Sequence, residues 1–487
     1  MDTVINKSRV LTSLLWKVME RAGTQGMQFV VQIIIARLLV PEQYGIIAIV
    51  MVFISIAQVF VQCGLNTALI QKKDADEIDF SSVFYLSLIV AALLYIIIYI
   101  SAPFIASYYT QPLLVQVLRV LSITLFIGAL NSIQNAFAMR NMLFRKLFVG
   151  SLGAVIISGV VGITAACNGL GVWALVAQQL TYQISVVIIL WFVIRWRPRL
   201  LFSLDRIRTL FSFGSKLLIS SLVDTLFINL RTPIIGRMYS PAMLGFYNKG
   251  QQIPQLIVTN INGSIQAVML PTLSAFQDEK KRVKEIMRRS IVTSSFFIFP
   301  MMIGLAVVAE PLIKIILTDK WLPAVPFLQI FCFSFALWPI HTANLQAINA
   351  IGRSDIFLRL EIIKKTLGLI VLGLSLPYGV YAMAVGQVIS DFLSTFINAY
   401  PNKKLLDYSY KEQWRDIIPS LLIALIMGSI VYLFKFLSFS AWQLLLLQVF
   451  VGIILYVGLN IIFKIESFSY LINTIRQFVD SRKNVTT

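Results

Sequence analysis

Long apolar runs limit the fold of this chain more than any other feature. They fill nearly all of the sequence, and each is about 20 residues long. The runs do not alternate apolar with polar residues, so they predict spanning helices rather than barrel strands. Hydrophobic residues make up 58% and charged residues 13% of the chain, whereas an average soluble domain carries about 25% charged residues. The sequence therefore predicts an all-α integral membrane protein.

About fourteen membrane-spanning helices are predicted. The apolar segments cover residues 12–38, 44–66, 82–106, 113–138, 147–167, 171–194, 213–238, 244–271, 290–309, 324–350, 357–376, 379–400, 416–435 and 442–463. The first twelve divide into two sets of six, and the last two follow as an addition. This division rests on an internal repeat.

The repeat relates the two halves of the chain. The string R-x3-P-x3-G occurs at residues 37–45 and again, 200 residues later, at 237–245. In the same order, Gly-Val-Trp-Ala at 171–174 is echoed 208 residues later by Gly-Val-Tyr-Ala at 379–382. Two homologous halves built of hydrophobic helices are typical of transporters, with the substrate site between the halves. The chain is therefore expected to form two pseudo-symmetric six-helix lobes plus two C-terminal helices.

This pattern gives five predicted regions. The N-lobe covers 1–194 and the C-lobe covers 213–400. Between them, residues 195–212 alternate arginines with apolar side chains, which predicts an amphipathic linker on the cytoplasmic membrane surface. Residues 401–465 hold the last two spanning helices, and 466–487 form a cytoplasmic tail.

Basic side chains in alternate loops set the predicted orientation. They include Lys72, Lys73, Arg140, Arg145, Lys146, the linker arginines, Lys280 to Arg289, Lys403, Lys404, Lys411 and Arg415. By the positive-inside bias, both termini are expected in the cytoplasm. The acidic residues Asp74, Asp76, Glu77 and Asp79 share the first of these loops, and we interpret them as a solvated turn.

Several function classes are disfavoured. The net charge of +19 resides largely in short loops, and no nucleic-acid-binding module is visible, so nucleic acid is not an expected partner. Three distant cysteines and the single histidine His341 offer no metal-ligand spacing, so neither a metal nor a cofactor is expected. A membrane glycosyltransferase is disfavoured because the chain lacks a large extramembrane loop and an acidic metal motif. We predict no catalytic residues and no enzymatic activity.

Polar side chains inside four predicted helices mark the candidate site. They recur at steps of three and four on the first, second, seventh and eighth segments, and a charge within a spanning helix costs about 2.5–3.5 kcal/mol. The predicted substrate-cavity residues are Arg21, Gln25, Gln28, Gln62, Arg231, Lys249 and Gln252. A cationic cavity suits an anionic cargo such as a pyrophosphate. Polar packing between helices is the alternative interpretation.

Two carboxyl groups in these helices are candidates for ion coupling. Glu20 lies on the first segment and Asp224 on the seventh. Glu20 alternatively pairs with Lys17 or Arg21, one helical turn or less away.

Three stretches resemble bacterial polysaccharide export flippases of the multidrug/oligosaccharidyl-lipid/polysaccharide superfamily. The stretch Ala-Arg-Leu-Leu-Val-Pro-Glu-Gln-Tyr-Gly at 36–45 resembles the opening signature of these proteins, and residues 235–245 are similar to its second-half counterpart. The stretch Trp-Leu-Pro-Ala-Val-Pro-Phe-Leu-Gln-Ile at 321–330 resembles the branch that contains colanic-acid and teichuronic-acid exporters. The resemblance covers essentially the whole chain.

The resemblance implies a flippase of the bacterial inner membrane that works by alternating access. The implied cargo is an oligosaccharide unit linked to undecaprenyl pyrophosphate, destined for O-antigen, capsule or exopolysaccharide. Membrane lipids, a coupling cation, and a polysaccharide polymerase or glycosyltransferases are the implied partners. Two alternatives from the same superfamily remain: a lipid II flippase, and a cation-coupled multidrug antiporter, which usually has twelve spans and an acidic cavity.

Overall fold

The structure is a computed structural model, and it describes residues 7–62, 64–72, 74–194, 196–465 and 468. Within this part of the chain there are nineteen α-helices and no β-strand. The helices are α1 (Lys7–Leu38), α2 (Pro41–Gln62), α3 (Leu65–Gln71), α4 (Glu77–Tyr109), α5 (Leu113–Leu121), α6 (Thr124–Arg140), α7 (Phe144–Cys167), α8 (Val172–Val193), α9 (Leu204–Asn229), α10 (Arg231–Met238), α11 (Pro241–Ala275), α12 (Lys280–Val307), α13 (Ala309–Ile316), α14 (Val325–Ala336), α15 (Trp338–Ala350), α16 (Ser354–Ser375), α17 (Val380–Leu406), α18 (Tyr410–Leu433) and α19 (Ala441–Ile462).

Every predicted apolar segment falls on one of these helices or on a consecutive pair, which confirms the all-α fold class. Five predicted spans fall on two consecutive helices rather than on one, namely α2 and α3, α5 and α6, α9 and α10, α12 and α13, and α14 and α15. Proline contributes to one break: Pro339 occupies the first turn of α15, where its missing N–H costs nothing.

Twelve helical spans among the described residues are long and apolar enough to cross a membrane, so the chain is a multi-pass membrane protein. The predicted number of fourteen is not confirmed. The twelve spans do not include α1 and α16, which are the helices of the first and eleventh predicted segments and are 32 and 22 residues long. Charge lowers the mean hydropathy of α16, since it carries Asp355, Arg359, Glu361, Lys364 and Lys365.

The chain divides into two compact units, Met1–Gly245 and Phe246–Thr487, and the division falls within α11. In the first unit, α9 packs against α2, α3 and α4. The lobe boundaries at 194 and 213 describe the sequence repeat and stay a prediction. Of the predicted cytoplasmic tail, only residue 468 lies among the described residues.

An aromatic cluster fixes one part of the core of the first unit. The Trp196 ring lies 5.9 Å from Phe80, 6.4 Å from Phe84 and 6.2 Å from Phe137, measured between ring centroids. Gln134 on α6 also donates a hydrogen bond to the Trp196 carbonyl oxygen, at 3.1 Å. These contacts hold the start of the linker against α4 and α6.

The core of the second unit is also rich in aromatic rings. Phe327 and Phe331 of α14 are fully buried, and Tyr247 of α11 contacts both at centroid distances of 5.7 and 5.1 Å. The Tyr247 hydroxyl lies 3.3 Å from Gln387 Oε1 on α17. These contacts tie α11, α14 and α17 together.

The repeated glycines precede equivalent helices in the same way. Gly171 immediately precedes α8 with a φ of 59°, and Gly379 immediately precedes α17 with a φ of 98°. Both values lie in the region that residues with a Cβ adopt rarely. The second repeat string is therefore a pair of glycine-dependent helix starts.

The first repeat string also starts helices. Pro41 is the first residue of α2 and Pro241 the first residue of α11. The helices begin at these prolines and not at the glycines four residues later. Proline is favoured there because the first N–H groups of a helix have no intrahelical acceptor.

Candidate functional site

The polar side chains that recur at steps of three and four along α1 form a polar stripe, and part of this stripe packs against another helix. Gln32 donates from Nε2 to Gln178 Oε1 on α8 at 3.3 Å. Among the predicted cavity residues, Gln25 is half-buried and Gln28 is exposed. Arg21 and Glu20 belong to α1, but their side chains lie outside the described residues.

The polar stripe of α2 contains one glutamine that packs against a helix, Gln58, and one that is exposed, Gln62. Gln58 is half-buried and lies so close to α6 that a Cβ added to Gly128 would stand 2.5 Å from its Nε2 atom. Gln62, one turn further on, is exposed. Gln58 therefore serves helix packing, and Gln62 is the member of this stripe that is open to a ligand.

Arg231 is the first residue of α10, directly after the break that ends α9. Its side chain is half-buried, and its Nε atom is buried with no hydrogen-bond partner in the part of the chain that the structure describes. An unsatisfied buried donor costs about 1–3 kcal/mol, more when it is charged. An anionic ligand would relieve that cost. Asp224, on α9, is exposed.

Lys249 and Gln252 are the two predicted site residues that the structure brings together by a hydrogen bond. Lys249 Nζ donates to Gln252 Oε1 at 3.0 Å within α11. The lysine is only 6% exposed. The neighbouring Gly250 lies against Phe327, since a Cβ at this glycine would stand 2.6 Å from the Phe327 Cβ. Lys249 is thus held in a packed environment in the second unit.

The strongest buried polar network lies elsewhere in the second unit. Asn344 Nδ2 donates to Gln413 Oε1 at 2.9 Å, and Asn402 Nδ2 donates to Asn344 Oδ1 at 2.7 Å. All three side chains are buried. The network joins α15, α17 and α18, so the polar side chain of Asn344 packs between helices.

Two further polar contacts attach α17 to its neighbours, one to α15 and one to α14. The Nδ1 atom of His341 on α15 is 3.1 Å from Asn398 Nδ2 on α17, which is hydrogen-bond distance. Ser334 donates to the carboxylate of Asp391. The sequence does not predict the role of Ser334, because a lone serine in an apolar run carries no periodic signal.

The acidic loop before α4 is not a simple solvated turn, so that interpretation was wrong. Asp79 is fully buried and pairs with Lys72 at 2.6 Å. Glu77 and Asp76 reach the linker region instead: Arg199 is 2.7 Å from Glu77, and Arg206 is 3.4 Å from Asp76. These ion pairs form because the linker folds back over this loop. The separation of the two stretches along the sequence does not reveal that contact.

The Asp76 carboxylate also caps α4. It accepts the backbone N–H of Asp79, whose own side chain accepts the backbone N–H of Asp76. The hydrogen bond from the Asp79 backbone, opposed by desolvation and assisted by the charges of Arg206 and Lys72, holds the pKa of Asp76 below its usual value. Among the described residues, no group of three or more His, Cys, Asp and Glu side chains could hold a metal ion.

Comparison with known proteins shows that the sequence is similar to proteins of polysaccharide biosynthesis. Residues 34–326 match the family described as polysaccharide biosynthesis protein. The chain is similar to teichuronic acid biosynthesis protein TuaB of Bacillus subtilis, with 30% identity over 62% of each chain, so the match spans less than two thirds of that relative. It is also similar to succinoglycan biosynthesis transport protein ExoT of Rhizobium meliloti, with 25% identity over 73% of this chain and 72% of the relative.

A solved structure shares the fold. The lipid II flippase MurJ, in an inward closed conformation, superposes with a TM-score of 0.70. The superposition covers 95% of this chain and 99% of the MurJ chain, at 14% sequence identity. At that identity the likeness concerns the fold alone.

Proposed function

This chain belongs to the polysaccharide biosynthesis protein family, and on that premise we propose that it is a flippase for lipid-linked oligosaccharides. Its cargo is an oligosaccharide unit on undecaprenyl pyrophosphate, which it moves across the bacterial inner membrane for surface polysaccharide synthesis. The family match over residues 34–326 of a multi-pass membrane protein carries this proposal. The names of TuaB, a teichuronic acid biosynthesis protein, and ExoT, a succinoglycan biosynthesis transport protein, support it.

The physical task defines what such a protein must provide. A sugar head group would lose the hydrogen bonds of its hydroxyls in hydrocarbon, and each lost bond costs several kcal/mol. A hydrated cavity supplies replacement partners while the lipid tail stays in the bilayer. The task involves no covalent change, so the proposed activity is transport by alternating access and not enzymatic catalysis.

The cavity residues follow from the same proposal. Arg21, Arg231 and Lys249 would face the pyrophosphate, while Gln25, Gln28, Gln62 and Gln252 would bind sugar hydroxyls. Support comes from Arg231, whose buried Nε has no acceptor among the described residues. A guanidinium binds phosphate oxygens through several N–H groups at once.

An ion gradient is the proposed driving force, with Glu20 or Asp224 as the coupling carboxylate. Both termini would lie in the cytoplasm, in agreement with the basic loops. A polysaccharide polymerase or glycosyltransferases would deliver or receive the cargo.

The two superfamily alternatives predict different cargo. A lipid II flippase shares the fold, as the MurJ superposition indicates, but the family match favours surface polysaccharide. A multidrug antiporter would carry cations, and the predicted cavity has three basic side chains against the carboxylates of Glu20 and Asp224.

Deletion of the gene in its host tests the proposal. We expect complete lipid-linked oligosaccharides to accumulate on the cytoplasmic face and surface polysaccharide to disappear. Expression of the intact gene should restore both. Unchanged lipid-linked sugars together with altered sensitivity to cationic compounds would reject the proposal in favour of a drug antiporter.

A further inference from the structure

A polar pocket of about 550 Å³ lies where three helices of the second unit end. Its basic lining comes from Lys284 and Arg288 near the start of α12, Arg415 near the start of α18, and Lys464 just after α19. Two acidic side chains, Glu412 and Asp416, also line it, which leaves four basic groups against two acidic groups. The pocket is therefore cationic by two charges.

Two of these charged side chains, Arg288 and Asp416, form an ion pair with each other. Arg288 donates from Nε and from one terminal nitrogen to the two oxygens of Asp416, each at 2.9 Å. The Tyr408 hydroxyl donates to the same carboxylate at 2.7 Å. Burial raises the pKa of Tyr408, which keeps its hydroxyl as a donor. Asp416 is thus satisfied from three directions, and Arg288 is held in one orientation.

Lys284 also has partners within the protein. It donates to the Asp407 carbonyl oxygen and lies 3.4 Å from Glu412. Arg415 and Lys464 differ from the other two basic groups, because both are exposed and neither forms an ion pair with any residue that the structure describes. They supply the two uncompensated charges of the pocket.

The apolar part of the lining indicates which anion fits. Val292, Pro419 and Ile465 line the same pocket as the basic groups. Beyond it, α12, α18 and α19 continue as apolar spans. A freely soluble anion gains nothing from an apolar floor, whereas a lipid presents a charged head group directly above hydrocarbon. Basic pockets at the ends of spanning helices, next to their apolar parts, are suited to lipid phosphate groups.

We propose that this pocket binds the phosphate of an anionic membrane phospholipid, with Arg415 and Lys464 as the phosphate-binding side chains and the Arg288–Asp416 pair as a fixed part of the lining. The site is separate from the proposed cargo cavity and does not depend on the identity of the cargo. A bound lipid would link α12, α18 and α19 through its head group.

Native mass spectrometry of the full chain with added phosphatidylglycerol or phosphatidylcholine tests this proposal. We expect the protein to retain phosphatidylglycerol in preference to phosphatidylcholine. The double variant Arg415→Gln with Lys464→Gln should bind phosphatidylglycerol about 30-fold more weakly, since each basic side chain near a membrane surface contributes roughly fivefold. The charge-preserving variant Arg415→Lys with Lys464→Arg should retain most of the binding.

A matched control removes the same charge from the same end of the unit. Lys281→Gln with Lys411→Gln changes two exposed lysines of α12 and α18 that do not line the pocket. Equal losses in the control and the pocket variant would overturn the proposal, because they would show a general surface charge effect. Displacement of phosphatidylglycerol by an equimolar amount of inorganic phosphate would also overturn it, since the site would then prefer a free anion.

Discussion

Gly45 and Pro241 are in direct backbone contact, since a Cβ at Gly45 would stand 1.8 Å from the Pro241 carbonyl oxygen. The relationship is reciprocal, because a Cβ at Gly245 would stand 2.1 Å from the Pro41 carbonyl oxygen. The two copies of the first repeat string therefore pack against each other through the first turns of α2 and α11. Only glycine permits backbones to approach so closely.

Gly45→Ala is expected to lower the stability of the purified protein by about 1–3 kcal/mol, because the added methyl group forces the two helix starts apart. The thermal unfolding midpoint in detergent measures this effect. Gly458→Ala is the matched control, since Gly458 also lies in a helix but has no atom within 4 Å of its Cβ position. Equal midpoints for the two variants would contradict the close contact.

Asp79→Ala should destabilise the protein by about 3 kcal/mol, because it leaves Lys72 without its partner beside a fully buried site. It also removes the hydrogen bond that the Asp79 side chain accepts from the backbone N–H of Asp76 in the capping box of α4. The exposed Asp74 in the loop just before α4 provides the control, and Asp74→Ala should change the midpoint little. A similar loss in both variants would argue for a loop that is open to solvent.

Asp76→Asn tests the pH dependence of the loop before α4. The pKa of Asp76 is lowered in the folded protein, so its charge contributes stability that is fully present above its ordinary value of about 4. That contribution is lost as the pH falls through the lower folded value. Asparagine still caps a helix, so the variant should lose less stability than the wild type between pH 5 and pH 3.

The unfolding midpoint measured across this pH range gives the comparison. Asp278→Asn, which replaces an exposed carboxylate in another loop, should keep the wild-type slope. Parallel curves for the wild type and Asp76→Asn would show that the interactions of Asp76 with the Asp79 backbone and Arg206 contribute nothing to stability.

Arg21→Ala and Arg231→Ala are expected to abolish surface polysaccharide without lowering the amount of protein in the membrane. The reason is that each removes a cation from the proposed pyrophosphate site. Quantification of surface polymer together with immunoblotting of membranes measures both quantities. Normal polymer in both variants would reject the cavity assignment and leave these arginines as packing residues.

Arg206→Ala alone should change surface polysaccharide and stability little. Its ion pair with Asp76 is 3.4 Å long and about half exposed on both sides, and exposed pairs contribute about 0–1 kcal/mol. The same polymer assay and unfolding midpoint apply, so this variant also serves as the control for Arg231→Ala. Complete loss of polymer would mean that the linker has a role beyond lying against the loop before α4.

Residues with a periodic or compositional signal could be predicted well from the sequence. Gln25 and Gln28 lie on α1 and Gln62 on α2, as their spacing indicated. The hydrogen bond between Lys249 and Gln252 also follows from spacing, since residues three apart share a helical face. Asp79 could not be predicted, because its partner and its burial depend on how the loop folds.

The sequence by itself determined the all-α class of the fold and the repeat, because a long apolar run in hydrocarbon must satisfy its backbone N–H and C=O groups within a helix. The tertiary structure decided which polar side chains pack and which stay open. Gln58 lies against Gly128 whereas Gln62 is exposed, although both belong to one stripe. Helical periodicity fixes the face on which a side chain lies, but a neighbouring helix decides what that face meets. The reciprocal contact of Gly45 and Gly245 likewise required two segments 200 residues apart to meet in space.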